Sequence, residues 1–259
     1  MPATDLPLLI DAVRSAGRVA TSYRGDLARR WDKPGGAGPV TEADIAVNDL
    51  LRTQLELARP GYGWLSEETE DGTARLRRDA VFIIDPIDGT RSFAKGQRTW
   101  AISVGIAERG VVTAGVVFLP ARGMLYAAAR GRGAWLNGAP LTVSEQAGVV
   151  GAEVLAAKPI MAPEHWPGGV PEVVHAYRPS LAYRLGLVAQ GRFDGMFTFR
   201  PSWEWDIAAG SLIVEEAGGT VTDKTGAPLR FNNAHPALNG VVAATPGVHA
   251  SAMAALKHV

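Results

Sequence analysis

Hydrophobic positions along this chain alternate between two periods, and the alternation predicts its elements. Leu6, Leu9, Ile10, Val13, Gly17 and Ala20 recur at spacings of three and four, which predicts an amphipathic helix with Asp5 as its cap. Residues 32–39, Asp-Lys-Pro-Gly-Gly-Ala-Gly-Pro, break the pattern as a flexible loop. A second helix is predicted from Thr41 to about Ala58 on Ile45, Val47, Leu50, Leu51 and Leu55. Its start, Thr41-Glu42-Ala43-Asp44, has the spacing of a capping box, with Asp44 in place of the usual Glu. Trp64-Leu65 then ends in Ser66-Glu67-Glu68. Neighbouring side chains on a strand point to opposite faces, so one of these two acids is expected to face any given site.

Val81-Phe82-Ile83-Ile84 is β-branched and aromatic, the composition of a buried strand. Pro86 and the Asp88-Gly89 turn are expected to stop that strand at Asp85. From Trp100 to Pro140 the pattern predicts antiparallel strands at 101–106, 111–119 and 124–129, with turns at Glu108-Arg109-Gly110, 120–123 and Asn137-Gly138. Arg130 and Arg132 sit in a glycine-rich loop expected to be solvated. In the second half, Val154 to Ala157 reads as a strand and 159–171 as an irregular, Pro- and Gly-rich excursion. Ser180 is expected to cap a helix that Gly191 ends, and Asp194 to Phe199 forms a turn and strand. Asp206 is expected to open a helix closed by Gly218-Gly219, followed by strands at Val221 and 241–244 and a last helix near 249–256. Elements of both types alternate without internal repeats, so the fold class is mixed α/β or α+β in layers.

Composition narrows the function. The 259 residues are 47% hydrophobic and 20% charged, as in ordinary globular enzymes. Lys+Arg and Asp+Glu both total 26, so no global field recruits nucleic acid or a membrane, and any anion affinity is local. No apolar run approaches the ~20 residues of a membrane helix. The absence of cysteine excludes thiolate chemistry and fits a reducing compartment, and no signal peptide is apparent, so a cytoplasmic protein is expected.

Acidic side chains carry the candidate chemistry. Asp85 and Asp88 stand three residues apart across a rigid turn, a spacing that suits hard divalent cations, which take several oxygen ligands. Gly89 and Thr90 follow at a helix start, where backbone N–H groups favour a phosphate oxyanion. A lone Asp at the head of a helix is ordinarily a cap, and a lone acidic pair a solvated loop. Here Asp44, Glu67, Asp85, Asp88 and Asp206 all fall at element ends that border a cleft.

The set Val40-Thr41-Glu42-Ala43-Asp44, Ser66-Glu67-Glu68, Asp85-Pro86-Ile87-Asp88-Gly89-Thr90-Arg91-Ser92-Phe93 and Trp205-Asp206-Ile207-Ala208-Ala209-Gly210 resembles, in order and across nearly the whole chain, the inositol monophosphatase superfamily of metal-dependent phosphatases. The resemblance implies a layered α-β-α-β-α fold, with an N-terminal half (1–147) built on an antiparallel sheet and a C-terminal α/β half (148–259) that supplies Asp206. It implies two or three Mg²⁺ ions, held by Glu67, Asp85 and the Ile87 carbonyl at a first position and by Asp85, Asp88 and Asp206 at a second. It further implies that Thr90 with Asp44 orients and deprotonates the attacking water, that Glu67 assists, and that Asp88 and the Gly89 and Thr90 amides meet the substrate. The reaction implied is direct in-line hydrolysis of a small phosphate ester, by a protein that is often a homodimer. A non-catalytic phosphoester-binding member would have lost a metal carboxylate, and this chain has lost none.

Substrate identity turns on one departure. Inositol monophosphatases typically carry a Glu seven residues before the metal-binding Asp, where this chain has Phe199, followed by Arg200. An aromatic beside a fixed cation suits a base and a second phosphate better than a neutral polyol. With a general resemblance to bacterial 3′(2′),5′-bisphosphate nucleotidases, this favours 3′-phosphoadenosine 5′-phosphate, ahead of inositol 1-phosphate and then histidinol phosphate.

Overall fold

Two sheets, each covered on both faces, absorb the hydrophobic runs. The computed structural model describes residues 2–23, 26–36 and 38–256. Helices α1 (Pro2–Ser22) and α2 (Glu42–Ala58) form the first layer. Beneath them lies a seven-stranded sheet in chain order, β1 (Gly63–Ser66), β2 (Ala80–Asp88), β3 (Ala101–Glu108), β4 (Val111–Leu119), β5 (Met124–Ala129), β6 (Gly133–Leu136) and β7 (Ala139–Pro140). Only β1 and β2 are parallel; every later pair is antiparallel. The four-residue helix α3 (Thr90–Phe93) follows β2 directly.

The middle layer is α4 (Leu181–Ala189) and α5 (Glu204–Glu216). Under it is a five-stranded sheet of β8 (Glu153–Ala156), β9 (Val174–Ala176), β10 (Gly195–Thr198), β11 (Thr220–Thr222) and β12 (Val241–Ala244), in the order β9-β8-β10-β12-β11. Helix α6 (Pro246–Leu256) covers its far face. The layers are therefore α-β-α-β-α. One core runs through the middle: Val117 and Tyr126 from the first sheet, Leu185 and Leu212 from the helices, and Leu155 and Met196 from the second sheet. Helix α5 lies close on β4 because Gly115 has no side chain; a Cβ there would sit 2.9 Å from the Ala209 Cα.

Several expectations are corrected by the packing. Asp5 lies within the first turn of α1 rather than capping it. It is buried and accepts hydrogen bonds from Arg59 Nε (2.9 Å) and Tyr62 Oη (3.0 Å), so it ties α1 to the end of α2. Strand β2 does not stop at Asp85. It runs through Pro86 to Asp88 by a bulge, with three steps from Asp85 to Asp88 set against two from Ser103 to Ala101. A bulge leaves its extra residue unpaired, which accommodates the missing proline N–H. The loop expected at 32–39 is a hairpin, with Arg30–Asp32 antiparallel to Pro39–Thr41 and a short turn of 3₁₀ helix at Pro34–Gly36; residue 37 lies outside the described residues. Arg130 is not simply solvated, since its Nη1 pairs with Glu215 at 2.6 Å, and Glu216 accepts the N–H groups of Gly131, Arg132 and Gly133. Helix α5 begins at Glu204, two residues before Asp206. Glu204 is fully buried because its carboxylate receives the backbone N–H groups of Asn232 and Asn233, which fixes where the helix starts.

Candidate active site

Glu67, Asp85, Asp88 and Asp206 come from three separate elements to one cleft, and a fourth element sets Asp44 behind Thr90, outside the lining. At the start of α2 the capping box forms, with Asp44 Oδ2 accepting from the Thr41 N–H (2.8 Å) and hydroxyl. This leaves Asp44 Oδ1 free to accept from Thr90 Oγ1 at 3.2 Å, so the cap and the Thr90 contact coexist on one carboxylate. Thr90 Oγ1 is also 3.1 Å from the Ile87 carbonyl, and its single proton serves one of the two acceptors at a time. Gly89 adopts φ 99°, the left-handed conformation that turns the chain from β2 into α3.

The bulge in β2 aims Asp85 and Asp88. Asp85 Oδ1 accepts the Ile87 N–H at 3.0 Å. Asp88 Oδ2 accepts from Ser180 Oγ and from the Ala182 N–H, both at 2.7 Å, which anchors the start of α4 to the first sheet. Asp206 is presented by the first turn of α5, and Ser103 Oγ donates to the Trp205 carbonyl at 3.1 Å beside it. One oxygen from each of Asp85, Asp88 and Asp206 lies within 4.8 Å of the other two. Burial raises all three carboxyls, Asp88 to about 6 and the other two well above the usual range, and mutual repulsion with Glu67 and with one another adds to it. Burial also holds Asp44 up at about 6, against the lowering effect of its Thr41 bonds.

Glu67 and Glu68 lie just past a strand. Strand β1 ends at Ser66, so both acids sit in the following turn, and of the two only Glu67 lines the cleft, as expected of one acid per site. Lys33 Nζ reaches them from the hairpin loop, at 2.8 Å from Glu67 and 2.6 Å from Glu68. Glu67 lines the cleft but stands outside the three-carboxylate group. Burial and the neighbouring Glu67 raise Glu68 to about 7. Asn48, buried on α2, accepts from Ser66 Oγ at 2.7 Å and holds the end of β1. Lys33 and Arg184 carry no signal for this site in the sequence, and Ser180 carries only that of a helix cap.

The cleft itself has a volume of about 260 Å³ and includes the three aspartates, Glu67, Thr90 and Arg200 in its lining. Arg200 is exposed, and its charge partly offsets the raised Asp206 carboxyl. Phe199, beside it, turns away from solvent and packs against Trp166 (5.2 Å between ring centres) and His165 (5.6 Å). No helix among the described residues is long and apolar enough to cross a membrane.

Comparison with known proteins agrees with this arrangement. The chain is 33% identical over 239 residues to an inositol-1-monophosphatase of Mesorhizobium japonicum, covering 88% of each chain. It is 32% identical over 234 residues to the Nus factor SuhB of Escherichia coli, covering 85% of each. Among solved structures, the extragenic suppressor protein suhB of Bartonella henselae superposes with a TM-score of 0.84 at 29% identity, covering 98% of each chain. The profile of the inositol monophosphatase family matches residues 3–259, and the chain belongs to that family of metal-dependent phosphoric monoester hydrolases.

Proposed function

We propose that this protein is a Mg²⁺-dependent phosphomonoesterase whose preferred substrate is 3′-phosphoadenosine 5′-phosphate. The observation that carries the hydrolytic reading is the convergence of Asp85, Asp88 and Asp206 within 4.8 Å at the end of a cleft. An all-carboxylate donor set without a sulfur ligand suits a hard divalent cation, and burying three mutually repelling acids side by side is costly without one. Asp85, Asp88 and Asp206 would hold Mg²⁺, with Glu67 and the Ile87 carbonyl supplying further oxygens. When bound, the ions supply charge neutralisation for the phosphoryl group and Lewis acidity. Thr90 Oγ1 accepts a proton from the attacking water and passes its own to Asp44 Oδ1, 3.2 Å away. A carboxyl held near 6 is well matched to that task at neutral pH. The backbone N–H groups of Gly89 and Thr90, with Asp88, meet the substrate at the turn into α3.

Substrate choice rests on the replacement of a polar residue by Phe199 and on Arg200 at the cleft. Phosphate release measured across 3′-phosphoadenosine 5′-phosphate, inositol 1-phosphate and histidinol phosphate tests the choice. Arg200→Ala is expected to cut kcat/KM on the bisphosphate by roughly ten- to a hundred-fold, since one charge-assisted pair is worth ~1.5–3 kcal/mol, and to cost a monophosphate far less. Faster turnover of inositol 1-phosphate, as the Mesorhizobium relative's name would suggest, overturns the substrate choice and leaves the hydrolytic reading standing.

Asp85→Asn should abolish turnover and yet stabilise the protein in chelator. Raised carboxyl pKa values favour the folded state below the unfolded value, 3.8 for Asp88, and that advantage is lost as pH rises through about 6. Metal-free protein should therefore melt higher at pH 5.5 than at pH 7.5. Asp85→Asn should melt above wild type in chelator at pH 7.5, and Mg²⁺ should reverse the order. A variant less stable than wild type in chelator would contradict the repulsion on which the metal site is argued.

Asp44→Asn separates cap from catalyst. Asn keeps an oxygen acceptor for Thr41, and removing a charge that burial disfavours offsets the lost helix-dipole interaction, so the variant should stay near wild-type stability. Loss of the proton acceptor should lower kcat by ~10²–10⁴. A folded variant slowed less than about threefold would leave Asp44 as a cap alone.

A further inference from the structure

A second pocket, of about 430 Å³, opens beside the catalytic cleft and is lined in part by Ile160, His165, Phe197 and Phe199. The two spaces share three residues: Tyr177, Arg184 and Arg200. Tyr177 and Arg200 are exposed, whereas Arg184, on the first turns of α4, is only 6% exposed. Its Nε donates to the Arg178 carbonyl and its guanidinium lies over the Tyr177 ring at 4.4 Å from the centre, which fixes its plane. No carboxylate among the described residues pairs with Arg184 or with Arg200. The nearest acid to act on Arg184 is Asp88, whose Oδ2 already accepts from Ser180 and Ala182. A buried cation that no carboxylate contacts directly, offset only by the field of Asp88 and repelled by a second cation, is an expensive arrangement that an anion from outside would stabilise.

We propose that Arg184 and Arg200 form a two-guanidinium clamp for a second anionic group on the substrate, with buried Arg184 as the specificity-determining arm. The clamp stands between the carboxylate end of the cleft and the aromatic pocket. A phosphomonoester whose scissile phosphate lies at Asp85, Asp88 and Asp206 thus presents its other anion to the arginines, and the uncharged part of the leaving group enters the pocket. Planar guanidinium groups take phosphate by paired N–H donors, and the fixed plane of Arg184 lowers the entropy lost on binding. This inference rests on the proposed phosphomonoesterase reading and extends it to a residue buried in the apolar run of α4.

Inhibition kinetics with two products test it. Adenosine 5′-phosphate carries the second anion without the scissile one, and inorganic phosphate carries only the latter. In Arg184→Met, the inhibition constant of adenosine 5′-phosphate should rise roughly ten- to a hundred-fold while that of inorganic phosphate rises less than about threefold. The KM for 3′-phosphoadenosine 5′-phosphate should rise by a similar factor with kcat little affected, and Arg184→Lys should recover part of the loss. Thermal melting of both variants checks that they fold; if Arg184→Met does not, the same comparison is made on Arg184→Lys, where the expected rise is smaller and still confined to adenosine 5′-phosphate. Equal losses for the two inhibitors, or none, overturn the clamp while a wild type active on the bisphosphate keeps the substrate reading. A wild type that hydrolyses inositol 1-phosphate but no bisphosphate removes both.

Discussion

The repulsion among Asp85, Asp88 and Asp206 is the constraint on which the rest of the structure depends. Three carboxylates with oxygens within 4.8 Å of one another, at the edge of the core, are each held in a less favourable state than in water. The fold withstands this because each acid is held by local contacts on β2 or at the head of α5. A bulge in β2 turns Asp85 and Asp88 to the same side, Ser180 and Ala182 at the head of α4 hold Asp88, and Ser103 holds the head of α5 beside Asp206. These fastenings cross from one layer to the next, so the site lies where the first sheet meets the middle helices. Gly115, by letting α5 lie against β4, sets the separation at which the acids meet.

Cations surround this negative centre on several sides, with Arg91 of α3 in the cleft lining. Lys33 pairs with Glu67 and Glu68 on the hairpin side. Burial and the loss of water push Lys33 down, and the two glutamates more than offset that, so it stays charged. Arg200 stands exposed at the rim and Arg184 is buried behind it. The cleft thus carries its acids, Asp85, Asp88, Asp206 and Glu67, beside the cations Arg91, Arg184 and Arg200. This local separation of charge arises in a chain whose net formal charge is zero.

Much of the fold was legible from local pattern. Strands 111–119 and 124–129 were predicted to the residue, as was 241–244, because apolar runs between strong turn signals leave little freedom. Thr41 and Ser180 were read correctly as caps, since capping is a contact between near neighbours in sequence. The failures were of longer range. Asp5 reads as a cap until Arg59 and Tyr62 are seen to meet it. The shared Lys33 of Glu67 and Glu68 has no sequence signal, since it comes from a hairpin more than thirty residues away. Arg184 was passed over because one charge in the run Leu181 to Val188 looks like a solvent face. Helix α4 has no such face: every residue from Leu181 to Ala189 is buried, because the helix lies between two sheets.

Calorimetric titration of Mg²⁺ into chelator-stripped protein, repeated in buffers of different ionisation enthalpy, tests the central claim most directly. Carboxyls raised by burial and mutual repulsion, Asp88 to about 6 and Asp85 and Asp206 well above their usual range, hold protons that a divalent cation must displace. The account predicts proton release on Mg²⁺ binding at pH 6 that diminishes as the pH rises above the raised Asp88 carboxyl. Mg²⁺ binding with no proton release at pH 6, or no binding at all, would contradict it.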